Sequence, residues 1–141
     1  LSLLMIDLDH FKAINDQHRH AVGDGCLIVV VRQLGAALQQ DSQLLARYGG
    51  EEFVVLAPDL DAAGALELAA GIRLRIESCE LTLLAGGSVP IRLTTSVGVA
   101  TVVPTDSDQP GQLRDVADSA LYEAKRAGRN CVRQRAVVRI A

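Results

Sequence analysis

The order of apolar and polar residues along the chain predicts alternating strands and helices. Runs rich in Leu, Ile and Val are typical of strands, and they occupy residues 1–6, 44–46, 53–57, 81–84 and 91–103, with a last strand beginning at Cys131. Apolar residues three and four positions apart predict helices, the first of them short and containing Phe11 and Ile14. Because paired strands are mixed with helical crossovers, we expect a layered α/β sandwich with a mixed sheet.

Polar residues and glycines predict the boundaries of these elements. We expect a polar loop at 17–23, a helix from the N-cap Asp24 to about Gln39 or Gln40, a helix from 59–61, a turn at 86–87 and a helix over 112–127 that Gly128 ends.

The stretch 47–53 joins two apolar runs through a turn. Two glycines, Gly49 and Gly50, predict a hairpin there, and two carboxylates, Glu51 and Glu52, follow them. One interpretation is an ordinary β-turn with solvated carboxylates. The other is that the glycines let the phosphates of a ligand approach the backbone while a carboxylate holds a metal ion. This short string leaves both interpretations open.

Composition narrows the class of protein. The chain has 141 residues, the size of one domain, and 49% of them are hydrophobic. The formal charge of −3 argues against non-specific binding of a nucleic-acid polymer. Cys26, Cys79 and Cys131 have no metal-ligand spacing, so we expect buried thiols in a reducing cytoplasm. No apolar run reaches the ~18 residues of a membrane span, so any membrane attachment would come through segments outside this sequence.

Two carboxylates at the end of the first strand are candidates for chemistry. Asp7 and Asp9 directly precede a helix, where a pair of carboxylates either caps the helix or binds a divalent metal. Ligands of open α/β sheets bind beyond strand ends. If the glycine hairpin lies beside this strand, Glu51 and Asp7 meet around one ion.

Two further clusters have both an ordinary and a functional interpretation. Lys125 and Arg129 are typical cations at a helix C-terminus, or they reach the polyphosphate of a nucleotide. Asp24 is an N-cap, or it accepts the paired donors of guanine beside Asn15. His18 and His20 lack partners at zinc-ligand spacing, and we find no motif for a nucleophilic side chain.

Taken together, these clusters resemble the GGDEF family of diguanylate cyclases. The resemblance covers the chain from Leu3 to about Val132. It is carried by the signature at 47–53 in its GGEEF form, and by Asp7-Leu8-Asp9-His10-Phe11-Lys12-Ala13-Ile14-Asn15-Asp16, His20-Ala21-Val22-Gly23-Asp24, Ser96-Val97-Gly98-Val99-Ala100 and the segment 120–130.

The resemblance implies a fold and a set of site residues. The fold is the palm-like sandwich of nucleotide cyclases and polymerases, with a mixed central sheet of about five strands, a small additional hairpin and covering helices. The implied roles are Mg²⁺ (or Mn²⁺) binding by Asp7, Glu51 and the Leu8 carbonyl, guanine recognition by Asn15 and Asp24, phosphate binding by the Phe11 amide, Lys12, Lys125 and Arg129, and deprotonation of a ribose 3′-hydroxyl by Glu51.

The implied activity is the condensation of two GTP molecules into cyclic di-GMP and pyrophosphate. Each domain holds one GTP, so the resemblance implies a homodimer, commonly assembled by an attached sensor module. The alternative is a catalytically silent GTP-binding domain that signals by interaction. We expect residues 1–141 to be one GGDEF domain that lacks its N-terminal helix and belongs to a longer cytoplasmic or membrane-attached signalling protein.

The sequence departs from the family pattern in two places that matter for function. Gln40 and Gln43 replace the Arg and Asp of the usual product-inhibition motif, so we expect no feedback inhibition through that site. Arg19 stands where a Gly is usual, which affects the loop near the predicted guanine site.

Overall fold

The structure is a computed structural model that describes residues 1–18, 20–79, 81–84 and 88–137. Its elements in chain order are β1 (Ser2–Leu8), α1 (Phe11–His18), α2 (His20–Ala37), β2 (Leu44–Gly49), β3 (Glu52–Ala57), α3 (Ala62–Glu77), β4 (Leu81–Leu84), β5 (Ser88–Ile91), β6 (Thr95–Thr101), α4 (Pro110–Arg126) and β7 (Val132–Ala136).

The central sheet has five strands in the order β2-β3-β1-β6-β7. Strand β7 runs parallel to β6, and the other neighbouring pairs are antiparallel. Strands β4 and β5 form a separate two-stranded sheet. The predicted fold, a mixed sheet of about five strands with a small hairpin, is therefore confirmed.

Strand β1 is buried on both faces. Its side chains point alternately to the two faces of the sheet, and each face packs against a different set of helices. Leu4, Ile6 and Leu8 pack in the larger core, which includes residues of α2 and α3. Met5 points to the opposite face, where it packs with residues of α4. Helix α4 lies very close to β6: a Cβ added to Gly98 would be only 2.2 Å from backbone atoms of α4. Glycine at this position is what permits the close approach.

Three of the predicted boundaries are wrong. The predicted strand at 91–103 is two strands, because β5 pairs with β4 whereas β6 pairs with β1 and β7. The predicted loop at 17–23 is mostly helical, and Asp24 lies inside α2 rather than at its N-cap. Val22 is buried, so packing against the core extends the helix through this polar stretch. Helix α2 also ends earlier than expected, at Ala37.

The predicted start of α3 and the predicted end of α4 agree with the structure. The Asp61 side chain accepts a hydrogen bond from the Gly64 amide and caps α3, and Gly128 follows the end of α4 with a φ of 109°. The predicted glycine turn at 86–87 and the departure at Arg19 lie outside the described residues.

The three thiols are free, and Cys26 is fully buried, whereas Cys79 and Cys131 are half-buried. Burial raises the pKa of Cys26, so its thiol stays protonated. Within the described part of the chain, no helix is both long and apolar enough to cross a bilayer.

Candidate functional site

The β2–β3 turn lies against the end of β1. The Leu8 amide donates a hydrogen bond to the Glu51 carbonyl at 3.2 Å, beyond the last pair of the β1–β3 ladder. The Arg47 guanidinium donates to the Gly50 carbonyl from Nε at 3.1 Å and from Nη2 at 2.7 Å. The glycine hairpin therefore lies beside the first strand, which is the condition under which Glu51 and Asp7 can meet around one ion.

The turn has open space around its second glycine. Neither Gly49 nor Gly50 has a positive φ, so the backbone conformation does not require glycine at either position. A Cβ on Gly50 would meet nothing within 4 Å, and one on Gly49 would lie 3.1 Å from Oε2 of Glu52. The open surface above Gly50 leaves room for a ligand to approach the backbone.

Asp7 is buried where the turn, β1 and α4 meet. Its Oδ2 accepts a hydrogen bond from Nζ of Lys125 at 2.8 Å, because Asp7 lies on the face of β1 that α4 covers. Burial raises the pKa of Asp7, the Lys125 ammonium opposes this shift, and the nearby carboxylates of Glu51 and Asp9 raise the pKa further. Asp7 and Glu51 are thus close enough for their charges to interact, and a bound cation would stabilise the charged form of both carboxylates.

The available donors fit a hard divalent cation. Mg²⁺ takes one or two carboxylates and completes its shell with water and phosphate oxygens. Asp7, Glu51 and the Leu8 carbonyl supply such a set. Among the described residues, no three His, Cys, Asp or Glu side chains group closely enough to hold a metal on their own. These three residues stay predicted ligands for an ion that a nucleotide also binds.

Two residues separate the end of β1 from the start of helix α1, so the N-terminus of the helix lies close to the end of the strand. His10, between them, has a φ of 56°, a left-handed conformation that turns the chain sharply. Phe11 is buried in the larger core, and Lys12 is exposed. The first amides of a helix favour anions, so the Phe11 amide and Lys12 suit phosphate oxygens.

Asn15 and Asp24 come from different helices and lie near each other. A Cβ on Gly23 would lie 1.8 Å from Oδ1 of Asn15, so the Asn15 side chain rests directly on the backbone beside Asp24. Asp24 is exposed and lines an open groove of about 440 Å³. The groove is otherwise lined by Leu27, Ile28, Val31, Arg32, Arg47 and Phe53. Two polar side chains beside an apolar groove suit a planar base.

The C-terminus of α4 brings the two predicted phosphate-binding cations to the sheet edge. The Arg129 amide donates to the Ala124 carbonyl at 3.1 Å, a Schellman-type bond that ends the helix at Gly128. Lys125 faces Asp7, and the exposed Arg129 side chain makes no hydrogen bond or ion pair with the described residues. Only Arg129 of this pair has its charge free for a ligand.

A network around Asp9 is absent from the sequence interpretation. Asp9 accepts hydrogen bonds from Thr94 Oγ1 (2.7 Å), Ser96 Oγ (2.7 Å) and the Asn130 amide (2.9 Å). These bonds tie β1 to β6 and to the turn after α4, so Asp9 does not act as a helix cap. Three successive polar residues, 94–96, at the start of a buried strand were the available signal.

Gln40 and Gln43 are engaged with their own loop. The buried Gln43 side chain accepts a hydrogen bond from the Gln39 backbone amide at 2.9 Å, and the Gln43 backbone amide donates to the Gln40 carbonyl at 3.1 Å. Gln43 therefore stabilises the connection from α2 to β2. The absence of charge at both positions agrees with the predicted loss of product inhibition, which stays a prediction.

Comparison with known proteins gives a consistent result. The family profile described as "Diguanylate cyclase, GGDEF domain" matches residues 1–131. The chain is 41% identical over 140 residues to the probable diguanylate cyclase DgcT of Escherichia coli, covering 96% of this chain and 29% of DgcT. It is 39% identical over 132 residues to the response regulator PleD of Caulobacter vibrioides, covering 94% of this chain and 28% of PleD.

A solved structure agrees with the sequence matches. The coiled coil and GGDEF domain of DgcB from Caulobacter crescentus, in complex with c-di-GMP, superposes with a TM-score of 0.87 at 30% identity, covering 95% of this chain and 69% of that one. The chain spans less than a third of the length of DgcT and PleD, so it corresponds to one part of such proteins. The chain belongs to the GGDEF-domain diguanylate cyclase family.

Proposed function

We propose that this domain is an active diguanylate cyclase, which joins two GTP molecules into cyclic di-GMP and releases two pyrophosphates. The observation that carries the proposal is the meeting of the β1 end, the Gly-Gly-Glu-Glu turn and the α4 C-terminus, which brings Asp7, Glu51 and Lys125 together. Similarity to DgcT and PleD supports it.

The proposed roles follow from the chemistry of each group. Asn15 and Asp24 hold guanine, because a carboxylate accepts its ring N–H and exocyclic amine together. The Phe11 amide, Lys12 and Arg129 bind phosphate oxygens. A divalent cation bound by Asp7, Leu8 and Glu51 would neutralise charge on the triphosphate and polarise the α-phosphorus.

The reaction is proposed to require two copies of the domain. The 3′-oxygen of one GTP forms a bond to the α-phosphorus of the other while the bond to pyrophosphate breaks. Glu51 takes the proton of the attacking 3′-hydroxyl, and Lys12 and Arg129 stabilise the leaving pyrophosphate. Lys125 would join them if a metal ion replaced it at Asp7. The second such step closes the ring. The presence of a coiled coil with the GGDEF domain in the solved structure of DgcB supports the proposal of an upstream dimerising module here.

The alternative is a silent GTP-binding domain, and one observation favours it. The Lys125 ammonium neutralises Asp7 in the structure, so a metal ion has to displace a 2.8 Å ion pair to use this carboxylate.

We place the active domain in the cytoplasm, where GTP is available.

The test is turnover of GTP with Mg²⁺ by the full-length dimeric protein. We expect cyclic di-GMP from the wild type and at least ~100-fold less from Glu51→Gln, because removing one transition-state charge interaction costs several kcal/mol. Glu67→Gln, an equal change of charge at an exposed position on α3, is the control. GTP binding without product in the wild type would support the silent alternative. Loss of activity in Glu52→Gln but not in Glu51→Gln would reverse the assignment within the turn.

Feedback regulation gives a second test. Because Gln40 and Gln43 offer no charged fork, we expect added cyclic di-GMP to leave the initial rate of GTP turnover unchanged over concentrations that saturate a charged site. Strong inhibition that Gln40→Ala abolishes would contradict this prediction.

A further inference from the structure

The turn between α4 and β7 has an unusual backbone. Three consecutive residues have positive φ: Gly128 at 109°, Arg129 at 66° and Asn130 at 45°. Glycine adopts this region freely, whereas a residue with a Cβ pays a steric cost there and needs surrounding contacts to keep it in place. The direction in which Arg129 leaves the turn depends on those contacts.

The Asn130 side chain is bonded at both ends of its amide. Its Nδ2 donates to Oε1 of Glu77 at 2.7 Å, and its Oδ1 accepts from Nη1 of Arg73 at 2.9 Å. Arg73 and Glu77 also pair with each other on α3 at 2.7 Å. The turn is therefore attached to a helix on the opposite side of the sheet from α4.

The Asn130 backbone is attached to β1. Its amide donates to Oδ2 of Asp9 at 2.9 Å, and the same carboxylate accepts the hydroxyls of Thr94 and Ser96. Asp9 is only 4% exposed, and its described hydrogen bonds all come from neutral donors. Asp7, two residues earlier, is instead paired with the Lys125 ammonium. The two carboxylates thus meet different chemistry.

We propose that Asp9 and Asn130 are positioning residues, which fix the left-handed turn so that Arg129 is held ready for the phosphates of GTP. Asp9 acts as an acceptor of hydrogen bonds and Asn130 as the link between β1 and α3; neither touches the nucleotide. This inference rests on the proposed function, because it assigns phosphate as the ligand of Arg129.

The first test separates an acceptor from a metal ligand. In Asp9→Asn, the amide oxygen can keep the bonds from Asn130 and Thr94, and the new NH₂ can donate to the Ser96 hydroxyl. We expect Asp9→Ala to weaken GTP binding ~10-fold, which is about the contribution of one hydrogen bond to affinity. We expect Asp9→Asn to keep most of the wild-type affinity. An Asp9→Asn variant as impaired as Asp9→Ala would overturn the acceptor role. Asp118→Asn, exposed on α4, is the control.

The second test asks whether Asn130 acts through Arg129. Equilibrium binding of GTP and of guanosine is measured for Asn130→Ala, Arg129→Ala and the double variant of the full-length protein. We expect Asn130→Ala to weaken GTP binding ~10-fold and guanosine binding less than about twofold, and to add less than about twofold once Arg129 is removed. Equal loss for GTP and guanosine, or additive losses, would show general loosening and overturn the proposal.

Amide hydrogen exchange at Asn130 separates this inference from the proposed function. We expect slow exchange in the wild type and in Asp9→Asn, and exchange about tenfold faster in Asp9→Ala. Unchanged exchange in Asp9→Ala would overturn the proposal that Asp9 fixes the turn, even if GTP binds. A wild type that shows the expected exchange but binds no GTP would refute the proposed function and the assigned ligand. The role of Asp9 and Asn130 in fixing the turn would then still stand.

Discussion

The two ends of the candidate site are held by different forces. At the end proposed to bind the metal ion, Asp7 and the backbone of the turn are held by bonds within the protein: Lys125 Nζ lies 2.8 Å from Asp7 Oδ2, and the Leu8 amide donates a hydrogen bond to the Glu51 carbonyl. At the end proposed to bind the base, close packing does this work, because Asn15 rests on Gly23. Asp24 there has no hydrogen bond or ion pair within the described residues.

This difference separates what each end controls. A ligand at the metal end must exchange one charged partner for another, so the change of charge there alters the energetics of the reacting groups. A base at the other end replaces water on Asn15 and Asp24, which changes selectivity and affinity. We therefore expect substitutions at the metal end to reduce turnover and substitutions at the base end to change which nucleotide binds.

The largest expected effect is at Asp7. Asp7→Asn keeps the shape of the side chain and removes its charge, so we expect Mg²⁺-dependent turnover of the full-length protein to fall by ~100-fold or more. Rates measured across a Mg²⁺ titration, with the melting temperature as the check on folding, test this. Wild-type turnover in a folded Asp7→Asn protein would remove Asp7 from the ligand set and weaken the contrast between the ends.

The next effect is on selectivity at Asp24. Asp24→Ser removes the carboxylate that accepts two guanine donors, and losing hydrogen bonds to a charged group reduces the preference for GTP over ATP by ~10- to 100-fold. Competition binding with both nucleotides measures it. Because Asp24 is exposed, we expect little change in stability. Unchanged selectivity would show that another residue reads the base.

A smaller effect is expected from crowding the base end. In Gly23→Ala the new Cβ would lie 1.8 Å from Oδ1 of Asn15, so that side chain has to rotate away. Losing one neutral hydrogen bond to guanine weakens GTP binding by up to ~10-fold. Gly35→Ala on the same helix is the matched control, because a Cβ there meets nothing within 4 Å. Equal effects of the two alanines would mean that helix stability, not Asn15, is responsible.

The sequence predicted the elements of the sheet well, because their signals are local. The apolar run at 1–6 predicted the first strand, and the glycines at 49–50 predicted the hairpin. The region from 17 to 24 was misread because its polar residues and glycine are typical of a loop. Burial of Val22 against the core, a long-range contact, keeps the segment helical.

The candidate site was predicted as residue types in the right places, and its internal bonds were not. Spacing and resemblance brought out Asp7, Glu51 and Lys125, but only the fold shows that Asp7 and Lys125, 118 positions apart, form an ion pair. The bonds of Asp9 to residues 94–96 and 130 likewise depend on strands that are distant in sequence. Such pairings follow from register, which a single sequence does not fix locally.

The smallest expected effect is a pH dependence of stability that comes from Glu77, whose side chain is bonded to the turn after α4. Hydrogen bonds from Asn130 and Arg73 lower the pKa of Glu77 below its ordinary value of 4.5. Because the folded-state pKa is the lower one, the stabilisation by Glu77 is complete above pH 4.5 and is lost as the pH falls through the lowered value. Because Glu77 is exposed, its contribution to stability is small. We therefore expect Glu77→Gln to lower the melting temperature slightly near neutral pH and to match the wild type in acid.

Gly23→Ala, which changes packing and no charge, is the control, and its melting temperature should differ from that of the wild type by the same amount at every pH. A Glu77→Gln difference that persists to pH 3 would mean that its bonds to the turn do not depend on charge, and a pH-dependent Gly23→Ala difference would mean that the two ends are coupled.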